Sequence, residues 1–341
     1  MGEDKCLEMV CRLPFDDFQV TVDGMVTPCC SGWCKNYKIG NIFDEGIETV
    51  WNSKAAKEFR KHILNGSYKF CNRSLCFPQF VKKNTLFDCV DETGFMKRGP
   101  KQVSILCDES CNVCCITCRA KPITNSTEYQ KKIDGLIEST IIPLCKEAET
   151  VSALGAGEIF ASKYCRTLIP RLAKVYPTKL KFFIHTNGIL CNEKNMRELG
   201  IYGRTDGVEV SIHAATKATY DKIVIGGDFE QSWKNVEWLS RLRRTGILPY
   251  LGVIFVVHDI NFREMKPFLE RAISLNVTAS FWQYQPWQRD PLSARGKEAL
   301  VWEPEHPLYS EFKQILSDEI FASPYCNLSG ALRAERKGKD E

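Results

Sequence analysis

Leu106–Arg119 reads LCDESCNVCCITCR. Three of its thiols, Cys111, Cys115 and Cys118, stand at the spacing C-x3-C-x2-C, directly after a run, QVSILCD at 102–108, that reads as a buried strand. Parallel α/β folds put their reactive groups at the carboxyl ends of strands. Three thiolates around one iron–sulfur cubane leave a fourth iron without a protein ligand. Electron carriers usually fill all four with Cys, whereas a catalytic metal site keeps one position open. Cys114 supports a rival reading, since Cys111-x2-Cys114 and Cys115-x2-Cys118 make two zinc-type pairs. Zinc pairs are usually separated by a dozen or more residues, and adjacent pairs crowd the loop.

Downstream the pattern alternates. Strands are predicted over 150–157, 179–188, 207–213, 249–258 and 278–285, and helices over 128–144, 162–176, 192–200, 229–246 and 261–276. Six β-then-α units argue for a parallel sheet covered by helices. Six are too few for a closed eight-fold barrel, so the expected fold is α/β, a partial (β/α)6 TIM-like barrel with a small cysteine-rich α+β N-terminal domain. The expected boundaries are 1–97, 98–290 and a C-terminal extension 291–341, the first break falling at the turn dipeptide Gly99-Pro100.

The chain has 341 residues, and 17 are cysteines. No apolar run approaches membrane length, and the start, MGEDKCLEMV, lacks the apolar segment of a secretory signal. A cytoplasmic location is therefore expected. In that reducing compartment clustered thiols bind metal more often than they pair. The net charge of +4 is diffuse, with RLRR at 241–244 a solvated helix face. Neither a nucleic-acid nor a membrane partner is expected.

C-x3-C-x2-C after the first strand resembles the signature of the radical S-adenosylmethionine (SAM) superfamily. That resemblance implies a 4Fe–4S cluster on Cys111, Cys115 and Cys118 whose open iron chelates SAM, and a 5′-deoxyadenosyl radical that takes hydrogen from a substrate. Four segments follow in the family's order. Gly155-Ala156-Gly157-Glu158 resembles its GGE motif, and Thr186-Asn187-Gly188 its turn near the ribose. Ser211 ends VSIHAAT, with His213 where relatives carry an acid, and VVHDIN ends at Asn261 near the adenine position. The implied cofactor-binding residues are Gly155, Gly157, Glu158, Thr186, Asn187, Ser211 and Asn261. The family usually has an aromatic residue before the third cysteine; here it is Thr117.

Residues 11–76 hold a second constellation. DFQVTVDGMVTPCC reads as a hairpin turning at Asp23-Gly24, which brings Cys11 and Cys29 to opposite strand ends. A loop with Cys71 and Cys76 can close the cage. The C…G-x4-C pairing, the GNI…W block and the final cysteine pair are similar to the SPASM/twitch domain. This implies a second, auxiliary 4Fe–4S cluster on Cys11, Cys29, Cys71 and Cys76, with Cys30 and Cys34 in reserve. In the family this domain usually follows the barrel, but here it comes first. Cys6 and Cys89 leave room for one further cluster.

The expected reaction is dehydrogenation or epimerisation of a small polar metabolite of sugar or aminocyclitol type. Modification of a ribosomally made peptide is the alternative, and a non-enzymatic iron–sulfur or zinc protein is the alternative of another class. Cys326 and Cys191 are candidate hydrogen donors for epimerisation. Phe281-Trp282-Gln283-Tyr284 with Trp287 could stack on a sugar or pack a core. An external electron donor such as flavodoxin or ferredoxin is implied.

Overall fold

Short β-branched and aromatic runs such as FFIHT at 182–186 and VEVS at 208–211 favour extended backbone, because their side chains pack on a pleated surface. In the computed structural model each lies in a strand. It describes residues 9–21, 23–73, 75–76, 78–106, 108–153, 157–286 and 290–337; Cys6, Cys107, Gly155 and Trp287 lie outside the described residues. The fold is mixed α/β with a largely parallel sheet. The chain divides into two compact units, Met1–Glu109, Asn125–Gly157 and Lys163–Phe183 in one, Ser110–Thr124, Glu158–Ser162 and Ile184–Glu341 in the other.

In the first unit β1 (Asp17–Val20) and β2 (Met25–Thr27) form the antiparallel hairpin, with Gln19 opposite Thr27. Its turn residue Gly24 has φ +78°, and a Cβ there would sit 2.6 Å from Asn41 Oδ1. β1 also lies parallel to β3 (Gln102–Ile105), and β3 to β4 (Thr150–Ala153). Residues on both sides of Gly99-Pro100 therefore share one sheet. Helix α1 (Lys54–Leu64) starts at Ser53, whose Oγ accepts from Ala56 N–H at 3.0 Å. Its Arg60 is buried, donating to the Pro14 and Trp51 carbonyls at 2.9 Å and lying 4.1 Å over the Trp51 ring. Helix α2 (Lys163–Val175) runs through Pro170, which removes one backbone donor; burial of Tyr164, Leu168, Ile169 and Leu172 offsets that loss. Strand β5 (Lys181–Thr186) leaves this unit for the second.

In the second unit β6 (Thr205–Ser211), β7 (Tyr250–Val257), β8 (Thr278–Gln283) and β9 (Cys326–Leu328) are parallel neighbours in that order. One face carries Val208, Val210, Val253, Phe255, Ala279 and Phe281, all fully buried. It packs against α3 (Phe229–Arg244) and α4 (Met265–Ser274), with Phe255 and Phe268 rings 4.9 Å apart. Each such phenylalanine contributes about 1.5–3 kcal/mol by leaving water. Strand alternation gives the opposite face Glu209, Gly252 and Ser280. Phe281 and Tyr284 belong to packed interior: Phe281 meets Phe268 and Phe321 edge-on and Phe255 at a tilt, and the Tyr284 hydroxyl donates to Asp290. Strand β9 lies in the stretch that no sequence pattern placed.

Candidate cluster and cofactor sites

The thiol loop of the second unit is anchored along its length. Cys114–Cys115 forms a two-residue strand antiparallel to Val224–Ile225, and Ile116 N–H donates to Ile223 O at 2.9 Å. Leu292 N–H donates to Ile116 O at 3.0 Å, and Glu158 N–H to Ser110 O at 2.8 Å. A turn then brings Cys118 N–H to Cys115 O at 2.9 Å. Cys111, Cys115 and Cys118 all lie within each other's electrostatic reach. Burial, then the neighbouring Cys118 and Cys111, pushes the Cys115 thiol far above the usual range. Such thiols ionise only when a cation takes the charge. Arg119 aims Nε and an Nη at Cys118 Sγ, at 3.3 and 3.2 Å. Cys114 is the strand neighbour of Cys115, and alternation turns it to the other side. That arrangement argues against four thiols on one zinc ion.

Glu158, almost fully buried, joins this loop to the end of β5. Its Oε1 accepts from Thr186 Oγ at 2.8 Å and its Oε2 from Asn187 N–H at 2.8 Å. Burial raises its carboxyl to about 7 despite these donors. Asn187 in turn donates from Nδ2 to Asn112 Oδ1 at 2.9 Å, with Cys111 Sγ 3.9 Å from the same nitrogen. Gly188 follows with φ +82°, and a Cβ there would lie 2.6 Å from Val210 Cγ1. The structure thus brings Glu158, Thr186 and Asn187 together beside Cys111. Gly157 directly precedes Glu158 and is half-buried, while Gly155 lies outside the described residues.

Ser211 ends β6, half-buried. Beyond it His213 takes φ +65° and its Nδ1 accepts from Val256 N–H at 3.1 Å. Burial lowers that imidazole to about 4, so it is neutral and holds backbone. Asn261 is fully buried and its amide is committed within the fold. Nδ2 donates to His213 O at 2.9 Å and Val256 O at 2.8 Å, and Oδ1 accepts from His258 N–H at 2.9 Å. Sequence reasoning passed over His258, which is also fully buried. Its Nδ1 accepts from Ile260 N–H at 3.3 Å, which puts the proton of the neutral ring on Nε2. That Nε2 has no partner among the described residues. Cys191 is fully buried near Glu158, and Cys326 is half-buried at the start of β9.

In the first unit, Cys11 ends the strand Met9–Cys11, which pairs with Phe80–Lys82. Its N–H donates to Tyr68 Oη at 3.3 Å, and Cys71 N–H donates to Tyr68 O at 3.0 Å. Asn72 N–H donates to Trp33 O at 2.7 Å, closing the Cys71–Cys76 loop against the turn after β2. Burial, then Cys11, raises Cys71 to about 11; burial, then Cys11 and Cys71, raises Cys76 to about 12. Cys34 reaches both Cys71 and Cys76, and Cys30 reaches Cys76. Cys29 faces Cys34 most closely and then Asp17. Six thiols on three loops supply the donor chemistry of a thiolate-held cluster, although among the described residues no three are arranged to hold a metal ion as they stand.

Two family models match. The description "Iron-sulfur cluster-binding domain" (SPASM) covers residues 11–77, and "Radical SAM superfamily" covers 106–272. The chain belongs to the radical SAM superfamily and carries an N-terminal SPASM domain. The two domains imply a 4Fe–4S cluster with SAM and an auxiliary iron–sulfur site. No curated protein matches the sequence. Among solved structures, SuiB of Streptococcus suis bound to S-adenosylmethionine is 12% identical with a TM-score of 0.44, over 72% of this chain and 53% of that one. SuiB bound to its precursor peptide SuiA is also 12% identical, TM-score 0.46, over 98% of this chain and 74% of that one. Native anSMEcpe with AdoMet and a Kp18Cys peptide is 15% identical, TM-score 0.43, over 67% and 63%. At these scores the likenesses carry no argument about substrate. No helix among the described residues is long and apolar enough to cross a membrane.

The donor chemistry suits a cubane: three thiols on one anchored loop, with a guanidinium at Cys118. Among the described residues no three Cys, His, Asp or Glu side chains are arranged to hold a metal ion as they stand. The buried N–H of His258 has no partner among the described residues and suits a ligand acceptor.

Proposed function

We propose that Cys111, Cys115 and Cys118 hold the SAM-cleaving cluster and that Cys11, Cys29, Cys71 and Cys76 hold the auxiliary one. When bound, the first cluster and SAM supply the 5′-deoxyadenosyl radical. The chain's own residues then do three things. Arg119 donors stabilise negative charge on Cys118. Glu158 fixes Thr186 and Asn187, and Asn187 fixes the loop at Asn112 beside Cys111. Asn261 holds the ends of β6 and β7 in register for the cofactor.

The substrate read from the sequence is a small polar metabolite of sugar or aminocyclitol type, dehydrogenated or epimerised. An auxiliary cluster with four protein ligands has no vacancy for substrate, so it carries electrons, which favours dehydrogenation. Cys191 is fully buried, and a hydrogen donor must touch the substrate radical, so for epimerisation the half-buried Cys326 is the better placed of the two candidates. A flavodoxin- or ferredoxin-type protein is the proposed electron source, and the cytoplasm the proposed compartment. The carrying observation is the anchored loop that bears Cys111, Cys115 and Cys118, with Cys111 Sγ 3.9 Å from Asn187 in the Glu158–Asn187 brace. The test is anaerobic reconstitution, reduction with SAM and quantitation of 5′-deoxyadenosine, with small polyols and short peptides added in parallel. Stimulation by polyols is the expected result. Stimulation by peptides alone would replace the substrate assignment.

A further inference from the structure

The face of the second unit's sheet that turns away from the helices carries a polar cluster no motif announces. Glu209 of β6 sits in the middle of an otherwise apolar run, GVEVS. Its Oε2 is 3.2 Å from His185 Nδ1 of β5, and its Oε1 accepts from Tyr250 Oη of β7 at 3.2 Å. The Tyr250 ring folds along its own strand to arrive there. It crosses Gly252, where a Cβ would lie 2.8 Å from the Tyr250 hydroxyl and 3.4 Å from Glu209 Cγ. Ser280 of β8 bonds the same tyrosine. Glycine at 252 and tyrosine at 250 together place a phenol on a carboxyl, which packing alone does not require.

Among the described residues no Lys or Arg pairs with Glu209; its partners are an imidazole and a phenol. Burial pushes Glu209 up to about 7 and His185 down to about 4. At pH 6 the couple is therefore a hydrogen-bonded, largely uncharged pair, and Glu209 ionises as pH rises through about 7. Buried carboxylates in folded proteins are paired with a cation, and a perturbed group in an accessible position marks a functional site. The side chains of His185 and Glu209 remain 22% and 12% exposed.

We propose that Glu209, flanked by His185 and Tyr250, anchors a protonated amine of the substrate. The ligand class is an amine-bearing polyol. This rests on the reading that the enzyme acts on a small polar molecule. An entering ammonium forms N–H···O bonds to both carboxylate oxygens, and the carboxyl proton leaves to solvent. Binding therefore releases a proton and strengthens as pH rises through the range where Glu209 ionises. The other titratable groups facing it titrate elsewhere: His185 far lower through burial, and Tyr250 well above its ordinary value through burial and Glu209; the Arg243 guanidinium lies near Tyr250.

The experiment uses the reconstituted, SAM-loaded protein and three probes: scyllo-inosamine, its N-acetyl derivative and scyllo-inositol. Each is titrated calorimetrically at pH 6 and 7.5, in two buffers of different ionisation enthalpy. The expected result is inosamine binding about eightfold tighter at pH 7.5, with about one proton released per site at pH 6. Glu209→Gln should lose at least about tenfold in inosamine affinity together with the proton release, while iron content and SAM affinity hold. The pH series on the unaltered protein stands alone if that variant does not fold. Equal binding of inosamine and inositol, or inosamine affinity flat with pH, overturns the amine anchor and leaves the small-polyol reading intact. Binding of none of the three, with SAM still bound, overturns both.

Discussion

Gly188→Ala is the substitution whose cost the geometry fixes most closely. Gly188 has φ +82°, and alanine in that left-handed region costs about 1–2 kcal/mol. The new methyl would also lie 2.6 Å from Val210 Cγ1, about an ångström inside normal contact, with Ser232 Cβ at 3.5 Å behind it. Val210 is a fully buried residue of β6 and has nowhere to retreat. Overpacking of that kind adds about 1–3 kcal/mol. The total is roughly 2–5 kcal/mol. Because the turn also carries Asn187, which contacts Asn112 and lies near Cys111, SAM binding should weaken in proportion to any displacement. Urea unfolding of the metal-free protein measures the first effect, and equilibrium SAM binding to the loaded protein the second. A stability change under about 0.5 kcal/mol, with SAM affinity unaltered, would refute the account of this turn.

Three further outcomes are expected. Glu158 binds its proton more tightly folded than unfolded, so below pH 4.5 it does not tax stability. As pH rises from its ordinary 4.5 to the folded value of about 7, its share of stability falls by about 3 kcal/mol and then levels; urea midpoints of Glu158→Gln against pH should be flatter over that window, and parallel curves would contradict this. Asn261→Ala removes three buried hydrogen bonds and should cost about 2–4 kcal/mol, read in the same unfolding assay. Cys29→Ser should lower iron by roughly four atoms per chain and abolish oxidised product while 5′-deoxyadenosine still forms; unchanged iron with lost iron in Cys34→Ser would move the fourth ligand to Cys34.

Much of this was legible from the residues because it is local. The D-G turn and the apolar strands are short-range patterns, and each became the element expected; C-x3-C-x2-C is equally local and is readable without any tertiary contact. The auxiliary donor set was only half legible: spacing shows which thiols are near in sequence, whereas the Asn72–Trp33 bond that brings Cys34 toward Cys71 and Cys76 is a tertiary contact. His258, Glu209 and Tyr250 escaped notice for a similar reason. A lone Glu in VEVS breaks the apolar pattern and could have been flagged, but its partners come from two other strands. The strand Cys326–Leu328 is three residues long, too short for periodicity to reveal.

The central claim is a cluster held by only three thiols. Electron paramagnetic resonance of the reduced protein, with Cys11, Cys29, Cys71 and Cys76 replaced so that one cluster remains, tests it most directly. Addition of SAM should shift that spectrum, and further loss of Cys111, Cys115 or Cys118 should erase the signal. A spectrum indifferent to SAM, or stoichiometric zinc in place of iron, would contradict it.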